Sequence, residues 1–208
     1  MHLNYVLISD GSSDEALLPI LENAMKLNSK FKSFQGRRAD FSRYNKPVKK
    51  LEDKIDCAVD LYDPDVLFIH RDAENQPIDH RSNEIEIALS KSKILKSSRL
   101  TYVTVIPVRM TEAWLLIDVN AIKCASGNPN SEFLCILPPP WKLENEPDPK
   151  LLLEKLIKDS SCLNKRRLKK LNIRHAIQLV PRYINDFSSL KELPSYKFLI
   201  KQIVEKLN

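Results

Sequence analysis

Asp72 and Glu74 stand two positions apart at the end of an apolar run, Val66–His70, in the stretch VLFIHRDAE. On extended chain, residues i and i+2 face the same way, so both carboxylates can reach one point past a strand end. Asp10 closes another apolar run, Tyr5–Ser9, and Gly11 behind it permits a sharp turn. Arg109 and Glu112 follow the strongest strand signal, Leu100–Val108. Acids gathered at one sheet edge would repel each other without cations. One or two Mg²⁺ (or Mn²⁺) ions would neutralise them and could also hold phosphate oxygens. The expected chemistry is phosphodiester cleavage. The metal would polarise phosphorus and lower the pKa of an attacking water, with Asp10 as general base or third ligand. Asp10, Asp72 and Glu74 are therefore the candidate catalytic residues, and these with Glu112 are the candidate metal ligands. Plainer uses stand beside these. Asp14, Glu15 and Glu112 fall in first helical turns, where the macrodipole favours acids in any case.

The elements that must position these acids follow from periodicity. Short apolar runs alternate with helix-patterned segments over residues 1–118, which predicts an α/β fold with a mainly parallel sheet flanked by helices. Right-handed crossovers put the strand carboxyl ends on one edge, where open parallel sheets collect ligands. After the Asp10–Gly11 turn, Ser12 and Glu15 have the form of a capping box, and Leu17, Leu18, Leu21, Ala24 and Met25 have helical spacing. A second strand is expected within Phe31–Phe41, with Arg37 and Arg38 at or beyond its end. Asn45 could cap the next helix, with Pro47 in its first turn and Val48, Leu51, Ile55, Ala58 and Val59 on its inner stripe. The polar stretch NQPIDHRSN after Glu74 is expected to be a loop over the site. A helix then runs from Glu84 to Ile94, with Glu84 able to turn toward the site and Glu86 toward solvent. Pro107 marks an edge position or a strand end. Thr111 can cap a short apolar helix in which Trp114 is a core residue.

Pro138–Trp141 (PPPW) reads as a rigid, extended connector. It divides an α/β domain, residues 1–137, from a helical C-terminal extension, residues 138–208, packed on it. Leu151, Leu152, Leu156 and Ile157 form one stripe of that extension, and Tyr196, Leu199, Ile200, Ile203, Val204 and Leu207 form another. Asn164–Lys170 is strongly basic. Lys165, Arg166, Arg167, Lys169 and Lys170 form either a solvated face or a phosphate-backbone contact, and Arg174, His175 and Arg182 extend the positive character.

Formal net charge is +6 and the pI is about 9.1, which fits a nucleic-acid partner as well as a lysine-rich surface. With only 3 glycines, a phosphate loop built from several of them is excluded. Cys57, Cys124, Cys135 and Cys162 form no C-x-x-C pair, so reduced thiols in a cytoplasm are expected rather than a zinc site. The N-terminal MHLNYVLISDG lacks a secretory pattern. No stretch approaches the roughly 20 apolar residues that span a bilayer, so no membrane partner is expected.

Ser9-Asp10-Gly11-Ser12-Ser13-Asp14 resembles the V-E-G-x-T-E turn of topoisomerase–primase (Toprim) domains, and Asp72-Ala73-Glu74 resembles their D-x-D motif. The stretch Arg109–Leu116 is similar to an E-x-W-L-L signature in a family of small stand-alone Toprim-like proteins. Asp148-Pro149-Lys150 and Leu193-Pro194-Ser195-Tyr196 resemble that family's D-P-K and S-F motifs. Relatives of this broader group include the nuclease domains of overcoming-lysogenization-defect (OLD) proteins. Such relatives are often encoded beside ATP-binding-cassette-type ATPases and serve in phage defence. The resemblance implies a Toprim fold, a divalent metal, and cleavage or nicking of nucleic acid, DNA ahead of RNA, with an ATPase as a candidate partner. By position, Asp10 takes the place of the Toprim glutamate acting as general acid/base, and Asp72 and Glu74 take the metal-binding positions. Asp stands for Glu in the first motif and Glu for Asp in the second, which shifts each carboxylate by about one methylene; misplacement on this scale can cost on the order of a hundredfold in rate. A catalytically degenerate subunit that binds nucleic acid or a partner is the alternative. A phosphatase with an aspartyl nucleophile ranks behind both, because the first strand lacks the D-x-D it would need.

Overall fold

The structure, a computed structural model, describes residues 1–42, 44, 47–93 and 100–208. Strands β1 (His2–Ile8), β2 (Ser33–Arg38), β3 (Val66–His70) and β4 (Thr101–Val105) form one sheet in the order β2-β1-β3-β4, with every neighbouring pair parallel. The fold is therefore α/β with a parallel sheet flanked by helices. β3 is buried at all its residues, as its apolar run requires of a central strand. The pleat divides the side chains between two faces. Val6, Ile8, Leu67 and Ile69 pack against α2 (Leu51–Tyr62) and α3 (Ile78–Lys91). Leu3, Tyr5, Leu7, Val66 and Phe68 face α1 (Leu17–Asn28) and the C-terminal helices.

Those later helices are α4 (Val119–Ala125), α5 (Pro149–Ser160), α6 (Lys165–Leu168), α7 (Ile173–Tyr183) and α8 (Pro194–Lys206). Leu153, Leu156 and Ile157 of α5, Ile177 and Val180 of α7, and Leu199 and Ile203 of α8 share one continuous core with the sheet. Trp114 lies fully buried within it. Its indole Nε1 donates to Ser195 Oγ at 3.2 Å, and its ring meets Tyr196 edge-on at 5.6 Å. Ser195 in turn donates to the buried Glu144 carboxylate through its backbone N–H and hydroxyl. α8 also closes the free edge of β4. Gln202 accepts from the Thr104 N–H at 3.1 Å and from its hydroxyl at 3.0 Å, and donates to its carbonyl at 3.0 Å. A side-chain amide thus completes the ladder where, among the described residues, no fifth strand pairs.

Several local expectations shift. The 3₁₀ turn at Ser12–Ala16 takes Gly11, not Ser12, as its N-cap, and the Asp14 carboxylate accepts from the Gly11 N–H at 2.9 Å. α2 begins at Leu51 with Lys50 as N-cap, so Pro47 and Val48 precede it; Asn45, like Ile94, lies outside the described residues. Most of the polar stretch assigned to a loop is helix, because α3 starts at Ile78 directly after Pro77, which sets the helix entry. Thr111 does not cap the 3₁₀ turn Thr111–Leu115; its hydroxyl goes to His70 instead. Pro140 and Trp141 open a 3₁₀ turn, Pro140–Asn145, rather than extending the connector. Leu151 is 62% exposed and Leu153 takes its place on the inner stripe, one step round the helix. Val204 of the last helix is likewise largely exposed, whereas Leu207 lies buried just beyond its end.

Candidate active site

The order in which successive parallel strands are added across the sheet reverses between β1 and β3, since β2 lies outside β1 on one side and β4 outside β3 on the other. A crevice opens at the carboxyl ends of two such strands, and ligands of open parallel sheets seat there. Here it is a cleft of about 250 Å³ lined by Asp10, Ser13, Asp14, His70, Asp72 and Glu74, with Arg71 and Arg81 at its rim. Asp10, Asp72 and Glu74 are thus brought to one cleft.

Each acid has a partner. Asp10 is paired with Lys54 of α2, Nζ to Oδ1 at 2.7 Å, and with Arg71. Burial would raise the Asp10 carboxyl, but the Lys54 hydrogen bond and the charges of Arg71 and Lys54 hold it below the ordinary carboxylate range. Asp72 Oδ1 accepts from the Thr111 N–H at 3.1 Å and meets His70 Nε2 at 3.2 Å. Glu74 and Asn75 have left-handed backbones, φ 51° and 68°, which ends the extended course that would align Asp72 with Glu74. Glu74 turns instead to Arg81 of α3, 2.7 Å away, and its side chain is 70% exposed. Arg81 also holds Glu84 at 2.7 Å and the Asp72 carbonyl at 3.1 Å, and Glu84 reaches Arg71 at 3.2 Å.

His70 is the hub of the inner wall. It is 3% exposed and lies between Asp72 and Asp14, with Nδ1 3.6 Å from Asp14 Oδ2 and Nε2 3.1 Å from Thr111 Oγ1. Burial would lower its pKa, yet the flanking carboxylates of Asp14 and Asp72 outweigh burial and push it up to about 9. His70 is therefore an imidazolium at neutral pH. Asp14 is correspondingly held down: burial raises it, and the close His70 imidazole, 3.6 Å away, with the Gly11 N–H more than compensates.

Glu112 lies in an adjoining cleft of about 310 Å³, together with Ser13, Lys150, Glu154, Ile173, Arg174 and Ile177. Ser13 borders both clefts. Glu112 is only 7% exposed, and no salt bridge reaches it among the described residues. Burial raises its carboxyl most; its own N–H and Lys150 oppose this, and the nearby charges of Asp72 and Asp14 add to it.

Carboxylates of Asp10, Asp14, Asp72, Glu74 and Glu84 thus meet cations of Lys54, His70, Arg71 and Arg81. The repulsion expected from sequence is largely relieved by the protein's own side chains. Among the described residues no three His, Cys, Asp or Glu side chains are grouped as metal ligands. Mg²⁺, however, keeps several waters and typically takes one or two carboxylates plus phosphate oxygens. The donor set fits that demand at Asp72, whose Oδ2 has no hydrogen-bond partner among the described residues.

Arg109 does not join the cleft; it contacts the Pro147 carbonyl at 3.4 Å. Lys165, Arg166, Arg167, Lys169 and Lys170 are exposed on and just after the single turn α6. Sequence reasoning passed over His70, Lys54, Arg71 and Arg81, and gave Asp14 only a dipole role. The H-x-D spacing of His70 and Asp72 was the one available signal, since residues i and i+2 share a face. Compared with protein-family models, curated proteins and solved structures, the chain gives no match. No helix among the described residues is long and apolar enough to cross a membrane.

Proposed function

We propose that this chain is a divalent-metal-dependent nuclease that cleaves or nicks nucleic acid, DNA ahead of RNA. The observation that carries the reading is the convergence of Asp10, Asp14 and Asp72 at the β1/β3 crevice, with the buried Glu112 in the adjoining cleft. Asp72 would hold the Mg²⁺ in the acid cleft, where the ion would supply charge against the phosphorane-like transition state and an acidified water; Glu112 lies in the adjoining cleft. His70 and the Thr111 N–H fix one oxygen of Asp72 and leave the other toward the cleft. Arg71 and Arg81 line the same cleft, each already paired with carboxylates. The resemblance to stand-alone Toprim-like proteins supports the same reading, and with it a cytoplasmic role in phage defence beside an ATPase of the ATP-binding-cassette type.

The test is incubation of the full chain with supercoiled plasmid and with single-stranded DNA and RNA, in Mg²⁺ or Mn²⁺. Cleavage that falls by about a hundredfold or more in Asp72→Asn is expected. Equal cleavage by that variant rejects the assignment. A second reading, a nucleic-acid-binding subunit without activity, is favoured by the ion pairs that occupy Asp10 and Glu74. Salt-dependent binding with no cleavage by the unaltered chain would select it.

A further inference from the structure

The cations of the acid cleft are committed. Lys54, Arg71 and Arg81 each hold a carboxylate. The adjoining cleft differs. Lys150, at the start of α5, and Arg174, at the start of α7, line it, are exposed, and form no salt bridge among the described residues. Ile173 and Ile177 give it an apolar wall; the buried Glu112 lies in it beside Ser13, and Glu154, also in the lining, is paired with Lys158. Thr111 and Glu112 form the partition. The Thr111 N–H serves Asp72 on one side, and the next side chain enters the second cleft. The basic tract Lys165–Lys170 leads through Leu171 and Asn172 into Ile173 and Arg174, at the same cleft.

We propose that this second cleft is a binding subsite for a single-stranded nucleic acid, seating the nucleotide next to the scissile phosphate. Lys150 and Arg174 take its backbone phosphate, and Ile173 and Ile177 lie against its sugar and unstacked base. A committed cation must give up a carboxylate to bind a phosphate, whereas Lys150 and Arg174 need displace only water and counterions. An apolar wall beside free cations suits a strand whose base is splayed out, and a base kept in a duplex stack presents no face to it. The strand would then run from the acid cleft past Ser13, across the second cleft and along α6. This assignment rests on the nuclease reading for its substrate class, but its test does not need cleavage.

Binding of a fluorescein-labelled single-stranded oligonucleotide is measured by anisotropy in EDTA at several salt concentrations. The exposed pair is removed as Lys150→Ala with Arg174→Ala. Lys197→Ala with Lys201→Ala on α8 removes the same charge elsewhere. The first variant is expected to bind about tenfold more weakly, with the slope of log K against log salt reduced by about 0.7 for the one phosphate released. The α8 variant should keep the original slope. Equal losses in both variants, or an unchanged slope in the first, overturn the subsite. Equal competition by a duplex of the same length overturns its single-strand character. If the slope changes as stated while the unaltered chain cleaves nothing, the subsite stands and the nuclease reading falls.

Discussion

His70 is the residue whose charge most directly joins the fold to the cleft, and His70→Gln isolates that charge. The amide keeps a polar group of similar reach but cannot become a cation. In the native protein the gap between an ordinary imidazole near 6.5 and about 9 corresponds to ~3 kcal/mol of preference for the protonated form. The sign follows from linkage. A group whose pKa is raised on folding stabilises fully below its unfolded pKa, and that contribution is lost as pH rises through its folded pKa. Native stability attributable to His70 should therefore be complete at pH 6 and gone by about pH 10. Urea unfolding of the native chain and of His70→Gln, at half-unit steps from pH 6 to pH 10, gives the difference directly; titrations common to both cancel. The two stabilities are expected to converge with rising pH by on the order of 3 kcal/mol, most steeply above neutrality. Parallel curves across this range would refute the imidazolium, and with it the account of how Asp14 and Asp72 tolerate each other. Near-ultraviolet circular dichroism of the variant at pH 9.5 checks that both chains still share one fold.

Other perturbations test other joints. Asp14, held low mainly through His70 against its own burial, contributes stability above the ordinary carboxyl range that is lost as pH falls; Asp14→Asn should flatten the acid limb of the same unfolding profile. Gln202→Leu leaves the Thr104 N–H, hydroxyl and carbonyl without their partner on the β4 edge, at about 1–3 kcal/mol for each orphaned group, and amide exchange at Thr104 should accelerate. Ser195→Ala strands the Trp114 indole N–H and removes a donor to buried Glu144, at roughly 1–3 kcal/mol by denaturant titration. Gly36→Ala places a Cβ onto the Tyr5 ring across the β1–β2 pair and should destabilise by about 1–3 kcal/mol or more, a loss that Tyr5→Ala in the same chain would relieve in part.

The motifs beyond the acids divide by what they touch. Trp114 and Tyr196 come from the stretches resembling the E-x-W-L-L and S-F signatures, and they stack edge-on in the core, with Ser195 between the indole and Glu144. Trp114 is fully buried two residues after Glu112 in the same 111–115 turn. Lys150, from the D-P-K stretch, stands instead at the mouth of the second cleft. One half of a motif can thus serve the wall and the other half the ligand, a distinction that residue type alone hints at: large aromatics inward, free cations outward.

Strand ends were legible because topology fixes them. A buried run such as Val66–His70 admits one reading, and parallel connections oblige its carboxyl end to share an edge with that of Tyr5–Ser9. The positions of Asp10 and Asp72 follow from that alone. Their partners do not. Lys54 and Arg81 arrive from α2 and α3, and periodicity gives the buried stripe of a helix but not where a long side chain on its flank will end. Glu74 reaches the same cleft but not by the i, i+2 alignment, which holds only while the chain stays extended; two successive left-handed residues turn it toward Arg81. His70 was hidden by its own surroundings. In an apolar run it reads as one more core residue, and only the arrival of Asp14 from the β1 turn makes it a buried cation. Acids that cluster in the sequence do not set the charge balance alone; cations that folding brings in from elsewhere, Lys54, Arg71 and Arg81, strike it. What survives that balance is one oxygen, Asp72 Oδ2, with no hydrogen-bond partner among the described residues, and Glu112 in the adjoining cleft, with no salt bridge among them.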